Sequence, residues 1–171
     1  RIEGRDPGAN TAEGQGGMPK GLDWVALLRR SKAIVAAVNG AAIGIGMTMV
    51  LPCDVIVASE TAKFGMFFIK VGIVPELAST QLLVQRCGFG RASEMCLSGR
   101  IYPGKEAAEI GLVDHLTPSE GLLPKAFEVT FRVGGEANRP RRLTGAVIGQ
   151  GRPQARGCGL GRDHARRLSA A

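Results

Sequence analysis

The chain has 171 residues, of which 44% are hydrophobic, so it can bury one sizeable core but hardly two. No apolar run approaches the roughly 20 residues that cross a bilayer, and the first residues show no apolar core of a signal peptide, so we expect a soluble cytoplasmic protein without membrane contact. The net charge of +7 does not indicate nucleic acid, because it belongs wholly to the segment from Arg132 onwards and residues 1–131 are neutral.

The cysteines and histidines do not form a recognisable site. Cys53, Cys87, Cys96 and Cys158 show no C-x-x-C spacing and no neighbouring histidine. We therefore predict no metal site and no disulfide framework, and expect reduced, mostly buried thiols. The two histidines, His115 and His164, stand apart from one another and are interpreted as structural or solvent-facing.

Composition divides the chain into three segments. Residues 1–20 are punctuated by Gly and Pro and are predicted to be loop-like, residues 21–131 form the core, and residues 132–171 form a basic Arg/Gly-rich tail. The tail shows no clear period after about Thr144, so we expect it to be poorly ordered. A solvated end and an RNA-binding arm both remain open for the tail, and the absence of interleaved aromatic residues favours the first.

The ordered elements begin at Gly21. Apolar residues at helical spacing over 22–28, closed by Arg29 and Arg30, predict an amphipathic helix. The apolar run 33–39 predicts a strand that is buried on both faces, and residues 47–51 predict a buried helix. Between them lies a glycine-rich strand-to-helix turn.

Three interpretations compete for this turn, in which Gly44 and Gly46 flank Ile45. A dinucleotide fingerprint fails, because the third glycine and the acidic ribose partner are missing. An anion site fits, since glycines let a ligand approach the unpaired N–H groups at a helix start and the helix dipole favours negative charge. The glycines can also serve only to let the strand and helix pack tightly, and this alternative stays open.

Short buried strands alternate with helices along the rest of the core, which indicates the α/β class. The predicted elements are a strand at 54–58, a segment at 64–68, a turn at 72–76, a helix at 79–87 stopped by Gly88, a helix at 91–97 ended by Gly99, a helix at 105–110 with Gly111 as its C-cap, and a strand end at 112–115.

The spacing of these motifs resembles the enoyl-CoA hydratase/isomerase, or crotonase, superfamily over about residues 20 to 130. The segments that carry the resemblance are Lys32–Gly46, Cys53–Ser59, Ala62–Phe64, Gly72–Glu76, Gly90–Met95, Leu97–Gly99 and Ala107–Val113. The resemblance implies a crotonase-like spiral of ββα repeats, usually assembled as trimers or dimers of trimers. It also implies an acyl-CoA thioester substrate, with coenzyme A as part of that substrate and no separate cofactor.

The resemblance further implies departures at both ends. The family's N-terminal strands would be missing upstream of a remnant at Pro7–Asn10, and the Arg/Gly-rich tail would replace the C-terminal helices. A truncated or frameshifted reading frame, or a fragment, would explain both. The predicted apolar helices between Arg91 and Val113 lack partners within the chain, so we expect a homo-oligomer, a trimer or a hexamer.

By resemblance, two backbone N–H groups form an oxyanion hole for the thioester oxygen. One donor is Ile45, between Gly44 and Gly46, and the other is Ala9 in the remnant. Preorganised donors of this kind stabilise charge as it develops in the transition state. Gly44, Gly46 and Phe68 are expected to bind the substrate.

The position of carboxylates separates the possible activities. A hydratase of this family holds its water with two glutamates, but Thr48 and Phe68 occupy those places, so hydration is disfavoured. Glu76 matches the single proton-shuttling glutamate of the isomerase branch. An alternative is that Pro75 starts a helix and Glu76 only complements its dipole.

Two classes of function therefore stay open. The first is a Δ3-Δ2-enoyl-CoA isomerase-like catalyst that uses Glu76. The second is a non-catalytic crotonase-like module that binds acyl-CoA or partner proteins. The phenylalanines Phe64, Phe67 and Phe68 either line an acyl pocket or fill the core, and the core is favoured.

Overall fold

The computed structural model describes residues 23–134 and the backbone of residues 146–148. The elements in chain order are α1 (Trp24–Arg30), β1 (Val35–Val38), β2 (Ala41–Ile43), α2 (Ile45–Val50), β3 (Val55–Ser59), β4 (Lys63–Gly65), a 3-10 helix (Phe67–Val71), α3 (Ser79–Ser98), β5 (Tyr102–Pro103), α4 (Gly104–Glu109), β6 (His115–Thr117), a 3-10 helix (Ser119–Gly121), α5 (Leu122–Gly134) and β7 (Ala146–Ile148). Strands and helices alternate, which confirms the predicted α/β class. The segment 1–20 and most of the tail lie outside the described residues.

A parallel sheet with the strand order β6-β3-β1-β7 forms the centre of the fold. Ala37 of β1 lies beside Val57 of β3, which in turn lies beside His115 of β6. Every residue of β1 is buried, so the predicted strand with two buried faces is confirmed. The strand β7 falls within the predicted tail, where the sequence showed no strand period.

The same side-chain contact recurs where two neighbouring strands begin. Asp54 precedes β3, accepts the Ile34 N–H at 2.6 Å and donates its own N–H to the Ile34 carbonyl at 3.0 Å. Asp114 precedes β6 and makes the equivalent pair with Ile56, at 2.7 and 2.9 Å. Each aspartate thereby satisfies both polar groups of the backbone beside the start of its strand, which fixes the register of the parallel pairing.

A second sheet, ordered β2-β4-β5, is parallel between β2 and β4 and antiparallel between β4 and β5. The glycine-rich turn predicted between β1 and α2 did not include a strand, but Ala41–Ile43 within it pair with β4 as β2. The predicted strand end at 112–115 is also displaced, to His115–Thr117. The reason is that the N–H groups of Leu112 and Val113 both donate to the Ala107 carbonyl at the end of α4, which leaves them outside any ladder.

The helix α3 contains a break at Gly88, whose φ of 77° and ψ of 164° are not helical. The two helices predicted on either side of Gly88 are therefore confirmed as two parts of one element. Gly99 ends the second part in the left-handed conformation, with its N–H bonded to the Met95 carbonyl at 3.2 Å. Gly111 follows α4 with a φ of 80°, as expected of a C-cap.

Helices cover both faces of the central sheet, which divides the core into two clusters. The larger cluster holds residues from α1, β1, α2, β4, α3 and α4, among them Phe64, Leu83 and Met95. The smaller one is made by Val35, Ala37, Val57, Leu122, Ala126 and Val129. The sequence analysis did not identify α5, although Leu122, Ala126 and Val129 follow the i, i+4, i+7 spacing of a buried helix face.

Cysteine burial agrees with the expectation of packed thiols. Cys53 is buried, while Cys87 and Cys96 are partly buried, and Cys158 lies outside the described residues. Burial raises the pKa of the Cys53 thiol to about 11 and also raises the pKa of the other two. Within residues 23–134, no helix has the length and apolarity to cross a membrane.

Candidate active site

The glycine-rich turn ends at Gly44, which caps α2 with a φ of 58° and a ψ of −123°. This conformation is open to glycine and costly for residues with a Cβ atom. The Gly44 N–H donates to the Gly65 carbonyl at 2.9 Å, which ties the turn to β4. The Gly44 carbonyl accepts from Met47 and Thr48 at 3.0 and 3.1 Å, which forms the first turn of the helix.

Two N–H groups at the start of α2, those of Ile45 and Gly46, donate to no acceptor within the described part of the chain. They are the first N–H groups of a helix, which have no partner inside it. A Cβ atom added at Gly44 or Gly46 would meet none of the described atoms within 4 Å. Among the described residues, nothing packs closely against either glycine, so the alternative that they only permit tight strand–helix packing is wrong. Gly44 is needed for its backbone conformation, and the space beside the two N–H groups is open.

A cleft of about 270 Å³ lies in front of this helix start. Its lining residues are Gly44, Ile45, Phe67, Phe68, Val71, Ile73 and Glu76. The structure thus brings Gly44, Ile45, Phe68 and Glu76 of the predicted site to one cleft. Gly46 lies in the first turn of α2 but does not line it, and Ala9 lies outside the described residues.

Glu76 is the only ionisable side chain among the described residues that line the cleft, whose other walls are glycine and apolar side chains. It is partly buried and follows a stretch that leaves the 3-10 helix at Gly72, where the Ile73 N–H donates to the Phe68 carbonyl at 3.2 Å. The interpretation that Pro75 starts a helix is wrong. Leu77 and Ala78 take positive φ values of 55° and 53°, and α3 begins only at Ser79.

The three phenylalanines divide between core and cleft. Phe64 is 1% exposed and belongs to the core alone. Phe68 is 6% exposed and both packs in the core and lines the cleft, so the two interpretations of this residue hold together. Phe67 is 38% exposed and lines the cleft, with the Lys70 ammonium 5.8 Å from its ring centroid. The sequence analysis did not identify Val71 as a lining residue, because the 3-10 helix that places it there was not predicted.

Thr48 and Phe68 stand where the resemblance leads us to expect the two glutamates of a hydratase. Thr48 is fully buried, and its hydroxyl donates to the Ile45 carbonyl at 3.1 Å. Phe68 offers no hydrogen-bonding group at all. Neither side chain is a carboxylate.

A larger cavity, of about 460 Å³, shares no lining residue with the cleft. Its central charged group, Arg86, bonds to the carbonyls of Leu51 and Cys53 and to the Asp114 carboxylate at 3.2 Å. These contacts join α3 to the segments before β3 and β6, so they serve the fold. His115 is also away from the cleft, with Nε2 3.5 Å from the Arg132 guanidinium.

Comparisons with known proteins identify the family of the chain. The family model described as "Enoyl-CoA hydratase/isomerase" matches residues 9–144. The 2,3-dehydroadipyl-CoA hydratase of Escherichia coli is 34% identical over 140 residues, which cover 82% of this chain and 55% of the relative. The mevalonyl-coenzyme A hydratase of Aspergillus fumigatus is 36% identical over 134 residues, which cover 78% and 47%.

Solved structures give the same answer for the fold. An enoyl-CoA hydratase from Bacillus anthracis superposes with a TM-score of 0.62 at 33% identity, over 64% of this chain and 43% of that one. A Thermobifida fusca protein solved in complex with acetoacetyl-CoA superposes with a TM-score of 0.60 at 34% identity, over 63% and 42%. The chain spans about half the length of the curated relatives it matches. The resemblance and the crotonase-like fold inferred from the sequence are thus confirmed, and the chain belongs to the enoyl-CoA hydratase/isomerase family.

Proposed function

We propose that this protein acts on acyl-CoA thioesters and moves a double bond from the 3 to the 2 position, with Glu76 as the proton carrier and the Ile45 N–H as one oxyanion donor. The observation that carries the proposal is the shared cleft: Glu76 and Ile45, whose N–H has no acceptor in the described part of the chain, line one small apolar space. A base and an anion site are the two parts that enolate chemistry needs.

The proposed reaction needs only one carboxylate. Glu76 takes a proton from C2 of a 3-enoyl thioester, and the C2–H electron pair delocalises onto the thioester oxygen, which accepts the Ile45 N–H. The same carboxyl then returns the proton to C4 as the C2–C3 double bond forms. No water enters the product, so Thr48 and Phe68 are compatible with the reaction.

The apolar walls support this chemistry. Phe67, Phe68, Val71 and Ile73 give the cleft apolar walls, and an acyl chain that packs against them would displace water, which strengthens electrostatic interactions there. They also suit an unbranched apolar acyl chain. Coenzyme A enters as part of the substrate, and the step needs no separate cofactor and no metal.

The test is Glu76→Gln, which keeps the shape of the side chain but removes the base. We expect conversion of a medium-chain 3-enoyl-CoA, followed by the absorbance of the conjugated thioester, to fall by roughly 10²-fold or more. Binding of a saturated acyl-CoA should change little. Glu109→Gln, on the exposed side of α4, is the matched control and should keep the wild-type rate. Isomerisation by Glu76→Gln at the wild-type rate would overturn the assignment.

A second candidate is hydration of 2-enoyl-CoA, because several relatives carry the name hydratase. Assays of the wild-type protein with both substrates distinguish the two activities. Efficient hydration of 2-enoyl-CoA would favour the hydratase and contradict the isomerase. Binding of acyl-CoA without either reaction would favour the non-catalytic module.

We also propose that the protein works as a homo-oligomer, a trimer or a hexamer. Phe89 and Leu97 on α3 are 76% and 73% exposed, and large apolar side chains on one helix are typical of an interface. Light scattering should give a mass several times that of the 17.9 kDa chain. A monodisperse monomer at micromolar concentration would contradict this part of the proposal.

A further inference from the structure

The backbone between Glu76 and α3 is strained. Leu77 and Ala78 have φ values of 55° and 53°, and they are the only non-glycine residues with positive φ in the described part of the chain. The left-handed region is disfavoured for residues with a Cβ atom. Neither leucine nor alanine has the side-chain hydrogen bonds that ease this conformation in Asn or Asp.

Two backbone hydrogen bonds flank the strained pair. The Ser79 N–H donates to the Glu76 carbonyl at 3.0 Å, and the Leu82 N–H donates to the Ala78 carbonyl at 3.0 Å, so the turn is closed on both sides. Ser79, the first residue of α3, is fully buried.

The unstrained alternative is a right-handed Leu77 and Ala78. It would extend α3 backwards to Pro75, a residue well suited to a first helical position. Glu76 would then lie on the first turn of the helix instead of on the cleft wall. Strained backbone that persists beside a cleft is a feature of functional sites.

We propose that the left-handed turn Leu77–Ala78 is a positioning device that holds the Glu76 carboxylate on the cleft. This inference rests on the proposed role of Glu76. The turn and the extended helix are two states of the same segment, and only the turn is competent for proton transfer. A residue that tolerates positive φ favours the competent state, and a β-branched residue disfavours it.

Ala78 is the position to test, because its side chain is exposed and a larger one meets no tight packing. Ala78→Gly and Ala78→Asn should keep or raise kcat and raise the Tm, since both residues accept the left-handed conformation. Ala78→Val should lower kcat by about 5- to 30-fold while KM stays within about 2-fold, because the apolar walls of the cleft are unchanged. Thr80→Val, a nearly isosteric change at the next exposed position of α3, is the control and should leave kcat unchanged.

A second measurement does not depend on turnover. The Cα and Cβ chemical shifts of Leu77 and Ala78 should report a left-handed backbone in the wild type, and those of Ala78→Val should move towards helical values. Helical shifts in the wild type, or a wild-type kcat in Ala78→Val, would overturn the inference. If Glu76→Gln is inactive while the three Ala78 variants all keep the wild-type kcat, only the positioning role of the turn is contradicted. If Glu76→Gln keeps full turnover, the proposed function fails, and the shifts still decide whether the strained turn exists.

Discussion

The hydroxyl of Thr48 donates a 3.1 Å hydrogen bond to the carbonyl of Ile45, one turn back along α2. The only proton of this hydroxyl is thereby committed to the backbone of Ile45, which lines the cleft and whose N–H has no acceptor in the described part of the chain. We therefore expect Thr48 to support the proposed donor at the start of α2 instead of holding a water for addition.

Thr48→Val tests this assignment. The valine keeps the shape but not the hydrogen bond, so we expect an unfolding free energy lower by about 1 kcal/mol and an isomerisation rate within about 2-fold of wild type. The matched control is Thr130→Val, since Thr130 makes the same kind of bond, at 2.6 Å, to the Ala126 carbonyl of α5. A tenfold loss of rate in Thr48→Val alone would assign the hydroxyl a part in catalysis.

The backbone donor is tested by changing Ile45, the first residue of α2. Proline is well tolerated at the first helical position and removes only the N–H, so Ile45→Pro should lower turnover by roughly 10²-fold or more with little loss of Tm. Ile45→Val keeps the donor and should be mild. If Ile45→Pro and Ile45→Val had similar small effects on kcat, the proposed role of the Ile45 N–H as an oxyanion donor would be contradicted.

Elements whose signals are local could be predicted from the sequence. The apolar run of β1, the break at Gly88 and the caps at Gly99 and Gly111 all lie where the residues themselves set the backbone. The shared cleft followed from the resemblance, because no local pattern brings Glu76 towards Ile45, 31 positions earlier in the sequence.

What the sequence did not show depends on contacts between distant segments. The three residues of β2 form a strand only because β4 lies beside them. The left-handed conformation of Leu77 is not marked by a glycine in the sequence, and local propensity at Pro75 favours the helix start that stayed open as an alternative. Tertiary contacts override local preference at both places, which is common next to functional sites.

Asp114 should contribute more to stability than Asp54, although both cap a neighbouring strand. The Oδ2 atom of Asp114 also pairs with Arg86, whose side chain is only 13% exposed. Asp114→Asn should therefore lower the unfolding free energy by about 1 kcal/mol more than Asp54→Asn, since it weakens the pairing of a largely buried cation. Urea denaturation of the two variants measures the difference. Equal losses would show that the ion pair adds nothing beyond the cap.

The last prediction concerns acid stability and the ion cluster at β5. The Arg100 guanidinium bonds to the Glu106 carboxylate, with one of the contacts at 3.0 Å, and stacks 3.6 Å from the centroid of the Tyr102 ring. The hydrogen bond from Arg100 holds the pKa of Glu106 below its ordinary value of 4.5. A carboxyl whose pKa is lower in the folded than in the unfolded state stabilises the fold above its unfolded pKa, and this contribution is lost as the pH falls through the folded pKa.

We therefore expect the Tm of the wild type to fall between pH 6 and pH 3 by more than the Tm of Glu106→Gln, which has no carboxyl to protonate at this position. Most of the difference in Tm between the two proteins should appear below about pH 4.5. Glu109→Gln, on the same helix but exposed and outside the ion pairs of the described residues, should follow the wild-type curve. Because Glu106 is partly exposed, 1 M salt should narrow the gap between wild type and Glu106→Gln. Parallel acid profiles of wild type and Glu106→Gln would show that the contact with Arg100 does not contribute to folding in solution.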